Sequence, residues 1–324
     1  MRRALACLIV SAGACSGAPT GDGAPDAAGS VVGVDAAPLP VAHGPYPIVL
    51  AHGLFGFKNI GPLDYFYGIR PALEATGRTV VATQVDAIQT SDIRGAELVA
   101  AIEGVRATTG AAKVILIGHS QGGLDARWAA AHDPDAVAAV ITVATPHRGS
   151  PVADVASGIL PGNSSAALDV LANLFGLAPG SSSSFPGAIE LLTTDGAAAF
   201  NAANPDAPGI PYWSVAGRSN LVAADGCPAS SDVTSAWDGS RDPMKLELSP
   251  VAGILALAAL PATPVNDGLV TVDSATWGTF LGCVPADHFD EVCQIAGQSA
   301  GIGNDYDCVQ MYLNLEKRLR ANGL

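Results

Sequence analysis

Ser120 stands in GHSQG, with Gly118 and Gly122 two residues to either side, and a serine flanked this way is a candidate nucleophile. A serine hydroxyl attacks a carbonyl only when a base takes its proton, a third group orients the base, and donors receive the oxyanion. The chain holds six histidines. His43 lies in a stretch rich in Ala and Pro, and His132 falls at the end of a helix-like run. His119 adjoins the serine, with its side chain expected to point away from it. His52 and His147 fall at the ends of strand-like runs, where hydrogen-bonded packing is the plainer reading. His288, in CVPADHFDEV, is the candidate base. Asp267, in the NDG loop of PVNDGLV, is the preferred orienting acid; Asp273 reads as a solvated loop carboxylate, and Asp287 is too close to His288 to turn back onto its ring. Backbone N–H groups of Gln121 and of Leu54, in AHGLFGF, are the candidate oxyanion donors, with Gly53 allowing close backbone approach. Phe55 and Phe57 fit an acyl pocket and a core equally well.

The elements that must hold these groups alternate along the chain. Residues 46–52, 78–85, 113–118 and 137–145 are short apolar runs with little polar alternation, the pattern of strands buried on both faces. Residues 93–110 and 122–134 read as helices, the first stopped by Gly110 and the second before Pro134. Strand–helix alternation of this kind predicts a mostly parallel, doubly wound α/β sheet. GxSxG between a buried strand and a helix is then a nucleophile elbow, a turn so tight that it needs small neighbours. On such folds the triad follows in the order serine, acid, histidine, and His288 alone among the histidines satisfies it.

The 324 residues are 49% hydrophobic and carry a formal charge of −14, which supports a sizeable core and argues against nucleic-acid binding. The basic run Glu316–Arg320 reads as cations near a helix C-terminus. Residues 1–15 have the charged start and apolar run of a signal peptide. SAGAC offers Cys15 as a lipid-anchoring site, with Ala12 where a bacterial lipobox prefers leucine, and ordinary secretion is the alternative. Either route takes the chain out of the cytoplasm. Residues 16–43 have a linker composition, leaving 44–324 as the catalytic domain. The run Val251–Leu260 is too short to span a bilayer. Cys227, Cys283, Cys293 and Cys308 suggest two disulfides, and loop topology favours Cys227–Cys283 with Cys293–Cys308. The spacings do not suit a zinc site.

YPIVLAHGLFGF, GHSQGGLDARW, VATPHRGSPVADV, NDGLV and HFDEVCQIAG, in that order, resemble the secreted bacterial triacylglycerol lipases of family I, from about residue 45 to the C-terminus. The resemblance implies an α/β-hydrolase fold with a helical lid, a Ser120–Asp267–His288 triad, and Leu54 and Gln121 as the oxyanion pair. It also implies a structural Ca²⁺ held by Asp290, Gln294, Gln298 and Asp242, with Asp238 as the fallback for Asp242, and often a lipase-specific foldase. The cysteines depart from the family's single disulfide. Residues 151–200 break the strand–helix rhythm, and 166–178 place Leu168, Leu171, Leu174 and Phe175 on one helical face, as a lid would or a core helix would. The expectation is an extracytoplasmic serine ester hydrolase acting on acylglycerols at an oil–water interface. A carboxylesterase, a polyester depolymerase, and a binding protein on an inactive hydrolase fold are the alternatives.

Overall fold

The apolar runs of the first half become neighbouring strands of one sheet. In the computed structural model, which describes residues 45–60, 63–158, 186–219, 227–240, 242, 265–294, 297 and 304–324, β1 spans Ile48–Ala51. The short antiparallel pair β2 (Asn59–Ile60) and β3 (Leu63–Asp64) follows, then α1 (Ile69–Glu74) and β4 (Val80–Ala82). Next come α2 (Ser91–Thr109), β5 (Val114–His119), α3 (Gln121–His132) and β6 (Val137–Val143). The helix stop at Gly110 is as expected: its φ of 70° is left-handed, and its N–H returns to the Arg106 carbonyl at 2.9 Å.

Among the described residues, three helices separate β6 from the next strand: α4 (Pro151–Ala156), α5 (Pro186–Leu191) and α6 (Thr194–Ala203). The chain then forms β7 (Tyr212–Gly217), α7 (Val272–Ala275), β8 (Thr279–Val284) and α8 (Cys308–Ala321). The six-stranded sheet runs β4-β1-β5-β6-β7-β8, and every neighbouring pair is parallel. The signal and linker segments, Val251–Leu260 and the amphipathic run 166–178 lie outside the described residues.

Continuous apolar strands make sense because both sheet faces are covered. Ile48, Leu50, Ile115 and Ile117 pack with Ile69 and Leu73 of α1 and Met311, Tyr312 and Leu315 of α8. Val49, Ala51, Val114 and Leu116 pack instead with Leu98 and Ile102 of α2 and Ala126 and Ala129 of α3. Each fully buried Leu or Ile here contributes roughly 1.5–3 kcal/mol. A third cluster joins Val152, Ala153, Ile189, Leu192 and Phe200 of the β6–β7 insertion to Leu54, Leu269 and Val270. It sits where the chain leaves the ends of the parallel strands, the place such sheets bind ligands. Disulfides join Cys227 to Cys283 and Cys293 to Cys308, with Cα separations of 5.8 and 5.7 Å, the favoured pairing.

Candidate active site

Ser120 follows β5 directly and precedes the first residue of α3, with φ 55° and ψ −131°. A non-glycine residue holds that conformation only when its surroundings enforce it. Its N–H donates to the Val143 carbonyl at 2.9 Å, and its own carbonyl accepts from Gly123 N–H at 3.0 Å. The flanking glycines are required by space: a Cβ on Gly118 would lie 2.3 Å from the Gly122 carbonyl oxygen, and one on Gly122 would lie 2.2 Å from that of Ala51. The N–H of Gln121 opens α3 and has no acceptor within the helix.

Asp267 and His288 meet across the loops flanking β8. Asp267 Oδ1 accepts from the N–H groups of Leu269 and Val270 at 2.8 and 2.7 Å, which fixes the carboxylate. Its other oxygen, Oδ2, is 2.8 Å from His288 Nδ1, and the His288 N–H donates to the Asp267 carbonyl at 2.9 Å. Both residues are buried. A proton on Nδ1 shared with Asp267 leaves Nε2 as the acceptor. Asp273, the weaker candidate, is exposed in the first turn of α7.

Ser120 and His288 line one cleft, whose other walls include Leu54, Val152, Ile189, Leu192, Leu269 and Val270. Ser150 also faces it, but its hydroxyl is used: it donates to the Leu269 carbonyl at 2.6 Å and accepts from Val152 N–H at 3.2 Å. The cleft is therefore aliphatic apart from the serine–histidine pair. Phe57 packs edge-on against Tyr65, and Phe55 packs against the apolar cluster under the cleft.

Among the described residues, the other histidines are buried or stacked on an aromatic ring. His147 bonds Thr142 Oγ1 at 2.9 Å and stacks on Trp277, over whose ring the Arg127 guanidinium also lies, 3.8 Å from the centroid. His132 stacks on Trp128. His119 departs from expectation in one respect: its ring lies against that of His288, with centroids 4.6 Å apart. Its Nδ1 is 2.7 Å from Tyr65 OH and its Nε2 3.4 Å from Glu291. Burial, then the neighbouring His288, holds His119 well below the usual histidine range. Glu291, fully buried and 4.0 Å from His288 Nδ1, received no role from the sequence. Burial and then the Asp267 carboxylate push it well above the ordinary range. Its position one helical turn after His288 was the available signal.

Asp242 and Asp290 come together as expected, and the structure adds Asp287, which the sequence had dismissed only as a triad acid. One carboxylate oxygen from each lies within 4.8 Å of the others, and all three residues are buried. Like charges this close and this buried repel strongly, and a hard cation taking oxygen ligands removes that repulsion, so the set fits such an ion. Asp238 is exposed. The Gln294 side chain donates to the carbonyls of Asp64 and Tyr65 at 2.9 and 2.6 Å, and Gln298 lies outside the described residues.

Fold and site together define a hydrolase of the α/β class, and residues 46–184 match the model of the alpha/beta hydrolase fold. The chain is 34% identical over 294 residues to a triacylglycerol lipase of Vibrio cholerae, covering 86% of this chain and 89% of the relative. It is 35% identical over 294 residues to one of Pseudomonas fragi, covering 86% and 97%. Among solved structures, the mature Bacillus licheniformis lipase BlEst2 superposes with a TM-score of 0.55 at 25% identity, covering 78% of this chain and 90% of that one. The Staphylococcus hyicus lipase shares the fold, with a TM-score of 0.59 at 16% identity over 87% of this chain and 97% of that one. The chain belongs to the bacterial triacylglycerol lipase family and is a carboxylic ester hydrolase. Its two disulfides suit an oxidising, extracytoplasmic compartment. No helix among the described residues is long and apolar enough to cross a membrane.

Proposed function

We propose that this chain hydrolyses water-insoluble acylglycerols through an acyl-enzyme on Ser120, with His288 as base and Asp267 as its orienting acid. The observation that carries the reading is the aliphatic cleft with Ser120 and His288 in one wall and Asp267 bonded to the far side of the imidazole. The acyl chain occupies that cleft. His288 Nε2 takes the Ser120 proton as Oγ attacks the ester carbonyl, and the tetrahedral oxyanion is received by the N–H groups of Leu54 and Gln121. His288 passes the proton to the leaving alcohol. It then activates water, which releases the fatty acid. Asp242, Asp287 and Asp290 would hold Ca²⁺, which supplies positive charge that fixes the loop carrying His288. Export with lipid attachment at Cys15 is the reading of the N-terminal segment.

The test is labelling with an organophosphonate followed by peptide mass mapping, paired with rates on short and long acyl esters below and above their solubility limits. An adduct on Ser120 and preference for emulsified long-chain esters are expected. An adduct elsewhere sinks the assignment, and preference for short soluble esters makes the protein a carboxylesterase.

A further inference from the structure

We propose that His52 is a positioning residue for ester hydrolysis, acting through the Gly53 carbonyl to aim the Leu54 N–H at the oxyanion. The inference rests on the role of Leu54 proposed above. The Leu54 N–H and the Gly53 carbonyl are opposite ends of one planar peptide, so holding the carbonyl sets the direction of the N–H. His52 Nδ1 lies 2.9 Å from that carbonyl oxygen, and the Gly56 N–H donates to it at 3.0 Å.

The neighbours of the ring assign its tautomer. Lys58 N–H donates to Gln84 Oε1 at 2.6 Å, which turns the Gln84 amide so that its Nε2 faces His52 Nε2 at 3.3 Å. Val85 N–H also donates to His52 Nε2, at 3.3 Å. Two donors converge on Nε2, so Nε2 accepts and the proton sits on Nδ1, where it can be given only to Gly53. Burial, and then the charge of Arg94, lowers the His52 pKa to about 4, so the ring stays neutral at working pH. Donation into a carbonyl also polarises its peptide and strengthens the N–H at the other end.

Arg94 fastens the same turn from below. Its Nη2 donates to the His52 carbonyl at 2.6 Å and lies 3.3 Å from that of Gly53, while Nε pairs with Asp125 of α3 at 2.8 Å. The turn is also closed to larger residues: a Cβ on Gly56 would stand 2.5 Å from His52 Nδ1 and 2.8 Å from the Gly53 oxygen. Gly56→Ala therefore disturbs the same contact by crowding it, with His52 itself unsubstituted.

The experiment counts active sites by phosphonate titration and measures kcat and KM per labelled site on a soluble ester. His52→Leu is expected to lower kcat about tenfold to a hundredfold with little change in KM, short of the ~10²–10³ lost with an oxyanion donor itself. His52→Asn, which places an amide N–H near the position of Nδ1, should recover most of the loss, and Gly56→Ala should reproduce it. A purely structural role would lower the melting temperature and the count of active sites while leaving kcat per site intact, and that result overturns the inference. So does a His52→Asn variant no faster than His52→Leu. If His52→Leu fails to fold, Gly56→Ala decides by the same criterion. An adduct on Ser120 with wild-type kcat per site in the variants defeats this inference alone, whereas an adduct elsewhere defeats the catalytic reading beneath it.

Discussion

At the scale of single residues, the proposed mechanism divides the site into groups that react and groups that hold them. Ser120→Ala removes the hydroxyl proposed to form the acyl-enzyme, so hydrolysis should fall by several orders of magnitude with an unchanged melting curve, read by ester turnover and calorimetry. His288→Ala should match it. His119→Ala leaves the reacting atoms in place but deletes a fully buried ring that Tyr65 and the His288 ring pack against, so its main effect should be a lowered melting temperature. Substantial turnover in folded His288→Ala would remove that residue from the chemistry. The proposed reacting groups were legible as candidates because serine, acid and histidine come in a diagnostic order within recognisable turns. Glu291 and Asp287 were not, because their roles depend on which distant carboxylates and rings the fold brings beside them.

At the scale of elements, the first-half strands were readable within a few residues because both faces of each are apolar. β7 and β8 went unassigned: YWSVAG and TFLGCV are interrupted by Ser214, Gly282 and Cys283, whose partners lie far away in sequence. Ser214 is buried because its hydroxyl donates to the Trp277 carbonyl at 2.8 Å. One staple acts on the segment after His288, and a second is proposed there. The Cys293–Cys308 bridge closes a separation of 15 residues and ties that segment to α8. Loop-closure entropy values such a bridge at about 3 kcal/mol, and the Cys293→Ser/Cys308→Ser variant should lose about that much in urea unfolding. The second staple is the ion proposed at Asp242, Asp287 and Asp290. A chelator should lower the melting temperature, Ca²⁺ rather than Mg²⁺ should restore it, and Asp290→Ala should be insensitive to both. An unchanged melting curve in chelator, in the disulfide-free variant as well, would remove the ion.

At the scale of the whole molecule, buried neutral histidines make stability depend on pH. His52, with its pKa lowered from 6.5 to about 4, binds a proton more readily when the chain is unfolded. His147 is shifted the same way, by burial and then by Arg127 and Arg148. For these two histidines the unfolded chain binds more protons in that window, so their contribution to stability is complete above about 6.5 and is lost as the pH drops toward 4. His52 alone accounts for roughly 3 kcal/mol of that decline. Urea unfolding at a series of pH values should show it, and His52→Asn should flatten the curve across the window. The order of the strands has a further consequence, in time rather than space. A nascent chain that has emerged through β6 already contains Ser120 and the N–H groups of Leu54 and Gln121, but Asp267 and His288 are still to be synthesised. The proposed acid and base arrive on either side of β8. On the proposed reading, a chain cut short before His288 carries the nucleophile without its base and should be silent toward esters until synthesis passes that point.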